Sequence, residues 1–166
     1  GSGKTVLTLE KLRQLPGEVL YVTHSPYLVD NARTIYYAHH YENDAQEVSF
    51  LSLAEFVQSI GTPEGRPLTF AAFAAWFGRH RGASPVKDVH ALHEEFNGVL
   101  SGSAPDRPCL SREDYLALGV RRSIFTAETR PAVYDLFERY LAFLPASGCY
   151  DLNLVCHAHH ARCRPA

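Results

Sequence analysis

The sequence predicts an α/β chain: a short parallel sheet with crossover helices, carrying an all-helical insertion. Three observations lead there. The chain opens on Gly1-Ser2-Gly3-Lys4-Thr5 and passes straight into helical spacing, two β-rich segments then alternate with helical stripes, and strand signals stop after Gly61.

Val6, Leu9, Leu12 and Leu15 recur every three residues until Pro16-Gly17 ends the pattern, which predicts a first helix. Residues 18–23 are short, apolar and β-rich, and Ser25-Pro26 reads as the turn into a helix bearing Leu28, Ala32 and Ile35. Residues 48–51 predict a second strand, followed by a short helix on Leu53, Phe56, Val57 and Ile60. Strands separated by helices imply a parallel sheet with right-handed crossovers.

From Gly61 to Pro67 the composition turns to Gly, Pro and charge, marking a boundary. Phe70, Phe73, Ala74 and Phe77 share one helix face. Ser84-Pro85 reads as a cap and first-turn proline for a helix bearing Val86, Val89, Phe96 and Leu100. After a Ser/Gly/Pro-rich loop at 101–108, Ser111 to Asp114 resembles a capping box. Val133, Leu136, Phe137, Tyr140, Leu141 and Leu144 then form the clearest amphipathic helix. A last helix is expected from Asp151. The expected division is 1–62 for the first part of the α/β core, 63–148 for the helical insertion, and 149–166 for a helix returning to the core.

Hydrophobic residues make up 46% of the 166 positions and charged residues 20%, which excludes a disordered tail and predicts a packed core. A net charge of −2 gives no global pull toward nucleic acid, so any such site must be local. No apolar run approaches the roughly 18 residues of a membrane span. The absence of methionine leads us to expect a segment of a longer protein. Four cysteines without scaffold spacing point to a reducing cytoplasmic setting.

A phosphate tail needs close backbone N–H donors and a cation, which glycines, a helix N-terminus and a lysine supply together. Gly1, Ser2, Gly3, Lys4 and Thr5 match the end of the P-loop pattern G-x-x-x-x-G-K-[ST]. Gly1 and Gly3 would wrap the β-phosphate, Lys4 would reach the β/γ oxygens, and Thr5 would place its hydroxyl on Mg²⁺. The expected cofactors are ATP and Mg²⁺. Lys4 and Thr5 are the catalytic candidates.

Two later segments extend the pattern. Tyr21-Val22-Thr23-His24-Ser25 and Ser49-Phe50-Leu51-Ser52-Leu53-Ala54 resemble the two motifs that follow the phosphate loop in UvrD/Rep-type superfamily 1 helicases. The helical stretch sits where that family inserts its smaller helical subdomain, and Tyr150-Asp151-Leu152-Asn153 resembles the return to its ATPase core. His24 replaces the family's usual aromatic, and Leu51 its usual histidine. The resemblance implies a RecA-like P-loop ATPase that translocates along single-stranded or partly duplex DNA, with Thr23, His24, Ser25 and Ser52 lining the DNA path. It also implies that the adenine-recognising glutamine motif, the Walker B Asp-Glu pair and the second RecA-like domain lie outside these 166 residues, which alone would be inactive. The alternative from residues alone is a signalling or kinase-type P-loop NTPase with a helical lid and no nucleic-acid partner. A third is a non-enzymatic helical interaction module.

Cys156, His159, His160 and Cys163 fall at i, i+3, i+4 and i+7. One straight helix rarely closes a tetrahedron, so no zinc is expected there. Trp76 is expected in the core. Arg79, His80 and Arg81, with Arg121 and Arg122, are short basic clusters that would either grip phosphates or sit as solvated helix ends.

Overall fold

The computed structural model describes residues 3–104 and 106–163, with the side chains of 162 and 163 excepted. It is mixed α/β, about 56% helical, with small parallel sheets. The chain divides into two compact units, Gly1–Thr62 and Pro63–Ala166.

The first unit runs α1 (Lys4–Leu12), β1 (Gly17–Thr23), α2 (Pro26–Ala38), β2 (Gln46–Ser52) and α3 (Leu53–Ile60). The strands β1 and β2 pair in parallel, from Gly17 opposite Gln46 to Thr23 opposite Ser52. Such a pair needs a crossover, and α2 provides it. Leu9, Leu12, Val29, Ala32, Tyr36, Tyr41 and Phe50 form the buried cluster. On α2 the inward stripe is Val29, Ala32 and Tyr36, while Leu28 of the expected stripe is 48% exposed. The rotation favours Tyr36, whose hydroxyl donates to Gln46 Oε1 at 2.8 Å. Gln46 in turn donates to the carbonyls of Leu12 and Leu15, each at 2.7 Å. This ties the end of α1 to the amino end of β2.

The second unit contains β3 (Arg66–Pro67), α4 (Phe70–His80), α5 (Val89–Glu94) continuing into a π-helical turn (Glu95–Leu100), α6 (Arg112–Leu116), a 3-10 turn (Val120–Arg122), α7 (Arg130–Ala146), β4 (Cys149–Tyr150) and α8 (Leu152–Cys163). Its core gathers Phe73, Trp76, Leu92, Phe96, Tyr115, Phe137 and Tyr140. Trp76 is fully buried and sits 5.5 Å, centroid to centroid, from Phe73 and from Tyr140.

Two sequence expectations are corrected in this unit. The stretch is not purely helical: β3 and β4 pair in parallel, Arg66 opposite Cys149, with the Arg66 N–H donating to Gly148 O at 3.1 Å and the Leu68 N–H to Tyr150 O at 2.9 Å. Two-residue strands leave no periodicity to read. Their approach also needs Gly65, at φ +93°, where an added Cβ would lie 2.4 Å from Gly148 O. Second, the helix expected to start at Ser84-Pro85 starts at Val89. Asp88 caps it by accepting from His90 N at 2.8 Å and Ala91 N at 3.1 Å, whereas Ser84 Oγ accepts from Val86 N in a local turn. A carboxylate accepting two N–H groups is the stronger cap. The helix α8 groups with this unit. Asp151 caps it through Asn153 N and Leu154 N and accepts the buried Tyr140 hydroxyl at 2.7 Å, while Asn153 donates to Asn97 O at 2.9 Å. These bonds fix the first turn of α8 to its neighbours by polar groups that sequence periodicity does not register.

Candidate functional site

The candidate site lies at the start of α1 and at the carboxyl ends of β1 and β2. Gly1 and Ser2 lie outside the described residues. Gly3 is left-handed, φ +65°, and α1 begins at the next residue, Lys4. An L-residue with a side chain resists that conformation, so glycine lets the chain turn directly into a helix. Among the described residues no side chain caps this end and no acid stands in the first turn, which leaves the first N–H groups and the positive end of the helix dipole available to an anion. Lys4 is exposed and Thr5 half-buried. The opposite end of α1 is the one fixed by Gln46, so Lys4 and Thr5 lie a helix length away from that anchor.

Parallel pairing places Thr23 and Ser52 side by side at the last register position. Ligands of open α/β sheets bind beyond this end. Thr23 and Ser25 are half-buried and His24 is exposed; Ser25 leads into α2 without a side-chain cap bond. Ser52 differs. It is 1% exposed, and its hydroxyl accepts from Glu55 N at 3.2 Å and donates to Glu55 Oε2 at 2.7 Å, while its own N–H donates to the same oxygen at 2.7 Å. The side chain expected on a DNA path is thus engaged in starting α3. Beside the same edge, Tyr27 is 75% exposed in the first turn of α2. It was not among the sequence candidates. An aromatic directly after Ser-Pro, on the polar side of the α2 stripe, is the signal that marks it.

The Ser52 capping box has a pH signature. The Ser52 backbone bond first, and its hydroxyl second, hold the Glu55 carboxyl below its ordinary value. Because the folded value is depressed, the contribution to stability is complete above the unfolded carboxylate value near 4.3. It is lost as pH falls through the folded value. The melting-temperature difference between wild type and Glu55→Gln is therefore expected to shrink as pH drops from neutral to about 3. A difference independent of pH would dissociate Glu55 from the cap.

The residues of the Cys/His cluster lie on α8, where His159 is buried, His160 exposed and Cys156 half-buried. The Cys163 side chain lies outside the description. Arg79 and His80 fold back on α4: Arg79 Nε donates to Ala75 O at 3.2 Å and His80 Nδ1 pairs with Trp76 O at 2.8 Å. Among the described residues no helix is long and apolar enough to cross a membrane.

No family model, no curated protein and no solved structure matches this chain.

Proposed function

We propose that this chain is part of an ATP-driven, nucleic-acid-translocating P-loop motor, a RecA-like ATPase core with a helical insertion. The observation that carries the reading is the junction at Gly3. A left-handed glycine runs directly into a helix whose first two residues are Lys4 and Thr5, and that helix leads into a parallel β-α-β unit. A helix opening directly on Gly-Lys-Thr and leading into a parallel β-α-β unit is part of the context a phosphate loop requires, and it supports the reading. ATP is held with its β/γ oxygens at Lys4 and the open N–H groups of α1, and Mg²⁺ at the Thr5 hydroxyl. Leu20 and Val22 are 45% and 38% exposed on β1, on a sheet type that is ordinarily covered on both faces. They leave room for the rest of such a core.

Nucleic acid runs along the strand ends. Thr23, His24 and Ser25 offer hydroxyl and imidazole groups to the backbone, and Tyr27 offers a ring for base stacking. Ser52 acts from behind by fixing α3.

A titration of the full-length protein with a fluorescent ATP analogue and Mg²⁺ tests the phosphate site. Saturable binding, competed by ATP and by pyrophosphate, is expected. Failure to bind at millimolar nucleotide would contradict the reading.

A further inference from the structure

The 3-10 turn Val120–Arg122 is held from two sides by buried polar side chains. Glu95, fully buried in the π-helical turn, accepts from Tyr115 Oη at 2.8 Å, from Ile124 N at 2.9 Å and from Ser123 Oγ. Arg130, 2% exposed, donates to the carbonyls of Phe125 at 3.2 Å, Gly119 at 3.3 Å, Leu116 at 3.4 Å, and Leu118. A buried carboxyl or guanidinium group is costly unless its polar atoms are satisfied. Here the hydrogen bonds that satisfy them fix a segment with an unusual outer surface: Val120 is 91% exposed, Ile124 is 52% exposed, and Arg121 and Arg122 are both exposed. Neighbouring Arg107 and Arg112 are instead tied to Asp114 and to Asp135 and Glu138.

Arg121 and Arg122 also line a recess of about 320 Å³ together with Gly98, Val99, Ser103, Leu110 and Leu118. A Cβ at Gly98 would meet nothing within 4 Å, so a larger side chain can be introduced there without a clash at its first atom. An apolar lining joined by two cations, at the small end of ligand-pocket sizes, suits one base with its phosphate. Charge complementarity selects a polyanion. The clamp removes the ordering cost that a mobile arginine loop would impose on binding.

We propose that this recess is a second nucleic-acid subsite, on the helical unit, which takes a single unpaired nucleotide. The base lies on Val99, Leu110 and Leu118, and Arg121 and Arg122 hold the adjoining phosphates. The proposal rests on the reading that the full-length protein binds nucleic acid, and it separates this basic cluster from Arg79 and Arg81, which lie at the end of α4 where positive charge already favours the helix dipole.

Two variants of the full-length protein test it with a fluorescent single-stranded oligonucleotide at several salt concentrations. Arg121→Ala/Arg122→Ala is expected to flatten the slope of log affinity against log salt by about 0.7 per lost contact. Gly98→Leu adds a bulky side chain to the lining and is expected to weaken binding about tenfold with the slope unchanged, the scale of one base kept off an apolar surface. The arginines are exposed, so their replacement leaves the fold intact, and fluorescent-ATP affinity stays at the wild-type value in both variants. Wild-type slope and affinity in both would overturn the subsite and leave the motor reading standing. No nucleic-acid binding by the wild type would overturn both. Vesicles rich in phosphatidylserine that bind as tightly as the oligonucleotide, and lose that binding in the arginine variant, would reassign the recess to lipid phosphate and also overturn the proposal.

Discussion

Lys4→Ala in the full-length protein is expected to lower the proposed ATPase turnover number by about 10²- to 10³-fold. Lys4 is the only side-chain cation of the Gly1–Thr5 loop, and it is set on the first residue of α1 directly after Gly3. Phosphoryl transfer relies on preorganised positive charge around the β/γ oxygens, and the loss of one such group commonly costs two to three orders of magnitude. The backbone N–H groups at the start of α1 survive the substitution. Some nucleotide affinity should therefore remain while turnover collapses. Near-normal steady-state turnover in the variant would mean that this loop does not hold the reacting phosphates.

Trp76→Ala is expected to produce the largest loss of stability, about 3–5 kcal/mol. The indole is fully buried in the core of the second unit. It packs against Phe73 and Tyr140, lies 6.0 Å from Phe143, and stacks on His80 with ring centroids 5.5 Å apart. Removing it leaves a cavity among aromatic rings that cannot close without leaving their rotamers. A fall in melting temperature of more than about 10 °C, followed by circular dichroism, is the expected readout. Gly3, Lys4 and Thr5, the proposed phosphate site, belong to the other compact unit, so ATP-analogue affinity at low temperature should be unchanged. A loss of ATP binding in step with the melting temperature would show that the two units do not behave separately.

What the sequence made legible follows from how far each signal reaches along the chain. The first helix, both longer strands and α7 rest on local periodicity, and Gly3-Lys4-Thr5 is a local motif placed by local turn chemistry. Asp88 displaced Ser84 as a cap because two acceptors of similar type stood four residues apart, and only three-dimensional geometry selects between them. The closure of β3 on β4 depends on residues more than eighty apart in sequence, with two residues in each strand, below any pattern a window can detect. The same holds for the clamp on the 3-10 turn. Glu95 and Arg130 look like ordinary surface charges in sequence, and their burial follows from hydrogen bonds reaching from Leu116 to Ile124. Ser52 shows the converse limit: its position at a strand end was legible, whereas the use of its hydroxyl by Glu55 was not.

The central claim is that nucleotide hydrolysis at the Lys4 loop is coupled to a nucleic-acid strand at the ends of β1 and β2. The most direct measurement is the steady-state ATPase rate of the full-length protein with and without saturating single-stranded DNA. A rate raised at least tenfold by the strand is expected, with most of that stimulation lost in a Thr23→Ala/Tyr27→Ala variant that keeps its basal rate. A robust ATPase indifferent to single-stranded nucleic acid would contradict it and favour a signalling or kinase-type P-loop protein.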